Sequence, residues 1–310
     1  MTKQENFDLI YDILDEASML LYEELNINYL DALLRVTNDL IEGIDDSRLD
    51  SDALDKLEAI YAKLDNHSFS NEDLRMAYNL LLIKGFKHIK MKLDVIIPDS
   101  IALVFANIIR SFYNLDHLNM LEINCKTANL TNTIANFLEC DITCFAQEED
   151  ELLAKIAKLS SNFQDRDLIL YNNKATDALE VDVDTIIGHL ESKVEDGKYL
   201  PYKLISKLMR YLEEDGIFIF LIDNDFFSYP DLANFQSNFT GTLLGLLILP
   251  ETMFKGTITK SILIGSKKQI NDFDMLAISL PSFADAPRLN EAMIKIENWI
   301  KDVSMIIKDN

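Results

Sequence analysis

The residues most able to do chemistry flank a run of short apolar segments in the middle of the chain. In LEINCKTANL, residues 121–130, Glu122 lies near the end of an apolar run and is followed by a turn containing Asn124, Lys126 and Ala128, after which helix-like spacing resumes. A carboxylate ending a buried strand, followed by a turn whose backbone N–H groups point outward, is how α/β nucleotide-binding folds meet their ligands. Such turns are usually rich in glycine, because a residue without Cβ adopts positive φ and lets backbone touch ligand. This turn contains no glycine. Glu148 follows the next apolar run, 22 residues after Lys126, where an acid can accept hydrogen bonds from ribose hydroxyls. The same residues also satisfy a plainer description. Asn129 can start a helix after an ordinary strand-to-helix turn, and Glu148, Glu149 and Asp150 are favourable charges at a helix N-terminus.

Two later positions extend the set. Asn173 and Lys174 follow the third apolar run; an asparagine oxygen can accept a hydrogen bond, whereas a lysine ammonium cannot. GHLES, residues 188–192, ends the fourth run and offers His189, Leu190, Glu191 and Ser192. A lone histidine at the end of a buried strand is more often structural than catalytic. Cys125, Cys140 and Cys144 form no C-x-x-C pair, so they suggest neither a disulfide framework nor a zinc site, and no metal is expected.

The elements that must position these residues follow from periodicity. From Asn6 to about Phe112, apolar residues recur at three- and four-residue spacing in FDLIYDILDEASMLLYEEL, YLDALLRVTNDLIEG, DALDKLEAIYAKL, NEDLRMAYNLLLIKGFKHI and DSIALVFANIIRSF. These predict a helical N-terminal domain over residues 1–95, with Gly43 as a stop, Asn71 as an N-cap and Pro98 before the fifth helix. Over 96–310 short apolar runs alternate with helical ones: strands in HLNMLEI, DITCFA, DLILYN, VDTIIGHL, GIFIFLI, GTLLGLLILP and TKSILIGSKK, with helices in LTNTIANFL, EDELLAKIAKLSSNF, LPYKLISKLMRYLEE and LNEAMIKIENWIKDVSMII. Strands apolar on both faces and separated by amphipathic helices predict an α/β domain with a mostly parallel sheet covered on both sides.

Composition bounds the function classes. A chain of 310 residues with 48% hydrophobic side chains can bury a substantial core. The formal charge of −23 makes nucleic acid a doubtful partner, because proteins that grip phosphates present a basic face. No secretory pattern opens the sequence and no membrane span is read from it, so a cytoplasmic protein is expected. The amphipathic N-terminal helices are the expected surface for a protein partner or self-association.

NYLDALLRVTNDLIEG, NLLLIKGFKH, DGIFIFLIDNDFF and LLGLLILPETMFKGTITKSILIGSKK together resemble the bacterial stand-alone class I S-adenosylmethionine-dependent methyltransferases related to adenine-specific DNA methyltransferases. The resemblance spans nearly the whole chain and implies a Rossmann-like methyltransferase domain behind a small all-α domain. It also implies S-adenosylmethionine as the cofactor, if any is bound, with Glu122, Asn124, Lys126, Ala128, Glu148 and Asn173 as the residues to hold it. The departures are specific. Lys126 and Ala128 stand at two glycine positions, Ile97-Pro98 replaces Thr-Pro, and His189, Leu190, Glu191 and Ser192 occupy the place of the N/D-P-P-Y-type turn that holds a target amine. All of them fall on the cofactor and substrate side. The expectation is methyl transfer impaired or lost, with a structural or regulatory interaction role; the alternative is an active methyltransferase with a reshaped acceptor site. A third reading has Lys126 and free N–H groups at a helix start binding an anion.

Overall fold

The computed structural model describes residues 3–114, 116–138, 140–254, 258–271 and 273–309. The chain forms two compact units: one comprises the N-terminal helices through Ile97 together with Lys126–Asn136 and Glu151–Leu168, the other Pro98–Cys125, Phe137–Asp150 and the chain from Ile169 on.

In the first unit, α1 (Lys3–Leu25), α2 (Tyr29–Glu42), α3 (Ser51–Tyr61) and α4 (Asn71–His88) each turn an apolar stripe inward, and Leu14, Leu21, Leu33, Leu57, Tyr78 and Leu82 are fully enclosed. Caps fix the helix ends. Asn28 accepts from the Asp31 N–H at the start of α2, Gly43 ends α2 with φ +98°, and Ser70 and Asp73 form a reciprocal capping box on α4. The cap of α4 is therefore Ser70, one residue before the expected Asn71, because Ser70 can exchange bonds with Asp73. Two further helices belong to this unit, α6 (Asn129–Phe137, to Asn136) and α7 (Glu151–Asn162); Leu153, Ile156 and Leu159 of α7 join the core of α1–α4.

The second unit is built on an eight-stranded sheet. Its strands are β1 (His117–Ile123), β2 (Asp141–Gln147), β3 (Leu168–Tyr171), β4 (Val183–Leu190), β7 (Leu212–Asp223), β8 (Thr242–Ile248), β9 (Lys260–Ser266) and β10 (Leu276–Ser279), ordered β10-β8-β9-β7-β4-β1-β2-β3. The pairs β1–β2, β1–β4, β4–β7 and β8–β10 are parallel, and β9 runs antiparallel to both β7 and β8. The central strands are buried on both faces, which explains why their sequences read as continuous apolar runs. The unit's helices are α5 (Asp99–Phe112), α8 (Leu200–Leu208), α9 (Leu232–Asn238) and α10 (Ala286–Asp309). On α10, Trp299 packs where a side chain at Gly245 would sit: a Cβ there would come within 2.7 Å of the indole. Leu93–Phe112 is apolar enough by composition to suggest a membrane span, but half of it is buried in the fold. The α5 helix alone is about 21 Å long, short of a bilayer core of about 30 Å.

Two expectations need correction. The helix expected to run through Glu214 ends at Leu208, and Leu212 already pairs with Val183 in the sheet, so LEED is strand despite its helical composition. The small hairpin β5 (Val194–Glu195) and β6 (Lys198–Tyr199) was not expected at all; it turns on Asp196 and Gly197, both at positive φ.

Candidate functional site

The sheet order changes direction between β1 and β4: the chain leaves β1 toward β2 and β3 on one side and returns to β4 on the other. Ligands of open α/β sheets bind outside the carboxyl ends of the strands at such a point. Gly188 makes the approach of the two strands possible. It faces Ile123 with φ +154°, and a Cβ there would lie 2.5 Å from the Ile123 carbonyl.

Within the second unit the structure brings Glu122, Asn124, Glu148 and Asn173 to this end of the sheet. Glu122 is 1% exposed and Glu148, one residue past β2, is 6% exposed. Both carboxylates act on Cys125 between them: burial pushes its thiol well above the usual range, and the two negative charges push it further. The Cys125 N–H donates to the Gln147 carbonyl at 2.9 Å, tying the start of the turn to β2. Asn124 donates from Nδ2 to the His189 carbonyl at 3.4 Å. Gln147 Nε2 donates to Asn173 Oδ1 at 2.9 Å and to the Lys174 carbonyl at 3.1 Å, while Gln147 Oε1 is a buried acceptor without a partner among the described residues. Asn172 Nδ2 donates to the Glu148 carbonyl, and Glu148 Oε1 accepts from the Asp150 N–H at 3.0 Å. This last bond is the helix-start role that composition suggested.

The turn itself departs from what its residue types favour. Asn124, Lys126 and Ala128 have φ of +50°, +54° and +55°. A left-handed backbone costs about 1–2 kcal/mol at each residue other than glycine, with asparagine the most tolerant. Both positions where glycine is missing thus hold the backbone that glycine would make easy. Lys126 and Ala128 belong to the first unit, where Lys126 Nζ donates to the Asp94 carbonyl at 3.1 Å and Ala128 is fully buried.

The turn after β4 is built differently. His189 is 5% exposed, Leu190 is buried and Glu191 is exposed. Lys260 Nζ lies 3.0 Å from His189 Nε2 and 2.6 Å from Asp223 Oδ1. Because the ammonium donates, His189 Nε2 accepts and its proton sits on Nδ1, 3.6 Å from Glu191 Oε1. Burial would raise the Asp223 carboxyl; the hydrogen bond and charge of Lys260, with the Ser192 N–H at 2.9 Å from Oδ2, outweigh it and leave Asp223 below the usual carboxylate range. Ser192 Oγ donates to Asp225 Oδ1 at 2.8 Å and lies 2.9 Å from the Tyr199 hydroxyl, and Tyr199 stacks on Tyr229 with centroids 3.7 Å apart. Asp223, Asp225, Tyr199 and Lys260 were missed from sequence. The signal for Asp223 and Lys260 was charge at the ends of otherwise apolar strands, in GIFIFLID and KSILIG. Among the described residues no group of three or more His, Cys, Asp or Glu is placed to hold a metal.

An eight-stranded sheet with β9 inserted antiparallel between β7 and β8, flanked by helices and preceded by a helical domain, is the Rossmann-like class I methyltransferase fold. The particular relatives agree. Residues 8–86 match the family model described as the YtxK N-terminal helical domain. The Uncharacterized protein YtxK of Bacillus subtilis (strain 168) is 27% identical over 325 residues, covering 96% of this chain and 99% of the relative. A Listeria monocytogenes protein provisionally assigned to the class I S-adenosylmethionine-dependent methyltransferases has 27% identity and a TM-score of 0.84, with 96% and 99% of the two chains covered. The methyltransferase subunit of a type I restriction-modification system from Streptococcus thermophilus shares the fold at 12% identity and TM-score 0.58, covering 96% of this chain and 94% of its own.

Proposed function

We propose that this protein has given up amine methylation and keeps the carboxyl end of its sheet as a binding edge for an adenosine-bearing ligand, S-adenosylmethionine or its demethylated product, in a structural or regulatory role in the cytoplasm. The observation that carries this reading is the turn after β4. Where an amine-methylating enzyme needs an open polar acceptor and an aromatic face for the target base, Lys260, His189, Asp223 and Ser192 are bonded to one another. A side chain committed to an internal ion pair is costly to release, because breaking a buried pair leaves an uncompensated charge.

The cofactor side fits better than the acceptor side. Glu148 follows β2 at the distance from the turn that an acid for ribose hydroxyls takes, Glu122 is a second acid near the end of β1, Gln147 Oε1 is a buried acceptor with no partner among the described residues, and the backbone at Asn124 is left-handed. Glu122 and Glu148 would hold the ribose, and Asn173 the base. Bound there, S-adenosylmethionine would supply an electrophilic methyl group on its sulfonium. What this chain's residues do toward it is bind and orient; among the described residues none is placed to hold an acceptor amine.

The test pairs isothermal titration of S-adenosylmethionine and S-adenosylhomocysteine with a radiolabelled methyl-transfer screen on DNA, RNA and protein. Binding with a blank screen is the expected result. Labelling of any acceptor would favour the alternative of an active enzyme with a reshaped site, and absence of binding would sink the ligand reading.

A further inference from the structure

In the first unit, α6 carries asparagines at positions 129, 132 and 136, a spacing that lines one stripe of a helix with amides where core residues would normally lie. Each is bonded. Asn129 Oδ1 accepts from Arg75 Nη1 at 2.7 Å and from Asn79 Nδ2, both on α4, and Asn129 Nδ2 donates to the Ile97 carbonyl at 2.7 Å. Asn132 bonds to Ser160 and Ser161 of α7. Asn136 donates to Glu72 Oε2 at 3.1 Å and to Gln164 Oε1 at 3.0 Å. Arg75 is 1% exposed and is held in place by Glu72, which accepts from its Nε at 2.8 Å and from its Nη2 at 2.6 Å.

Burying a guanidinium is expensive, and apolar side chains of similar volume would pack these helices at least as tightly. What the polar cluster adds is a fixed position and rotation for the first residue of α6. That residue directly follows the three left-handed positions, and Lys126 is tied to Asp94 in the same unit. A turn that stores about 1–2 kcal/mol at each of two non-glycine residues persists only where its surroundings over-determine it. We infer that the helical domain is the clamp of this turn, with Arg75 as its positioning residue.

The experiment is amide hydrogen exchange of the full-length protein over peptides spanning 124–130. Arg75→Met is compared with Leu82→Ala, a fully buried core change on the same helix. Arg75→Met is expected to speed exchange over 126–130 by about tenfold. Leu82→Ala should lower stability without this local effect, and Arg75→Lys, which can keep a bond to one of the two partners, should fall between. If Arg75→Met does not fold, Asn79→Ala removes a single donor to Asn129 and is read in the same way. Unchanged exchange over 126–130 in the arginine or asparagine variant overturns the clamp.

Discussion

The turn after β1 and the turn after β4 both lack the residues expected at those places, yet they hold different structures. After β1 the backbone is left-handed without glycine: Lys126 and Ala128 sit at φ near +55° where glycine would sit without strain. After β4 Lys260, His189, Asp223 and Ser192 form an ion-pair network. The first region holds its shape at a cost in strain, the second is satisfied internally. A missing motif therefore carries two meanings, and only backbone angles and bonding partners tell them apart.

The sharpest way to break the comparison is to remove the cation at the centre of the second region. Lys260→Met leaves Asp223, 4% exposed, with the Ser192 N–H but without its counter-charge. Removing one partner of a buried pair costs about 3–5 kcal/mol. Trp299, the single tryptophan, packs at Gly245 in the same unit, so urea unfolding followed by its fluorescence reports the loss. A loss under about 1 kcal/mol, the usual value of an exposed pair, would mean that the network is open to solvent.

A smaller effect tests the strain in the first region. Lys126→Val puts a β-branched residue at φ +54° and should cost about 2 kcal/mol. Thr127→Val, its neighbour, removes a buried hydroxyl that has no partner and should change stability by no more than about 0.5 kcal/mol. Helix unfolding by circular dichroism measures both. Equal effects at 126 and 127 would remove the claim that the left-handed backbone is kept under strain.

Much of the fold was legible because its signals are local and repeated. The apolar runs of β1, β2, β4 and β7 and the helical spacing of α1–α5 could be read directly, since burial on one stripe or on both faces leaves a mark in every turn of chain. The hairpin at 194–199 was not legible because strands of two residues have no period. The strand at Leu212 was hidden by a helix-like composition that pairing with Val183 overrides. The site was less legible than the fold. Positive φ is normally inferred from glycine, so Lys126 and Ala128 pointed the wrong way, and Lys260 meets Asp223 and His189 across 37 and 71 positions. The asparagines of α6 were visible as letters, but their partners on α4 lie fifty or more residues away.

Proton linkage refines the second region. In the wild type Asp223 titrates below its ordinary value, so its contribution is fully present above about pH 4, the unfolded value, and is lost as pH falls through the folded one. In Lys260→Met burial, the largest influence on Asp223, is opposed only by the Ser192 bonds; the folded carboxyl is expected to rise above the unfolded value, and the sign reverses: the variant loses stability as pH rises. The gap between wild type and variant, read from Trp299 urea midpoints, should therefore be narrower at pH 5 than at pH 7. An equal gap at both values would show that Lys260 does not hold Asp223 ionised.

The smallest effect concerns the thiols, and it separates the ends of the sheet. Cys125 is 3% exposed beside Glu122 and Glu148, and burial and both charges keep it protonated. Cys140, just before β2, is partly exposed; burial raises its thiol too, with Asp141 adding to it. Because the thiolate is the reactive form, alkylation at pH 8 in the native state should label Cys140 well before Cys125, with Cys125 reacting at the rate of unfolding. Mass spectrometry of the labelled peptides orders them. Early labelling of Cys125 would mean that the turn after β1 opens on its own, which would place its left-handed backbone in exchange with another shape and dissolve the contrast with the closed turn after β4.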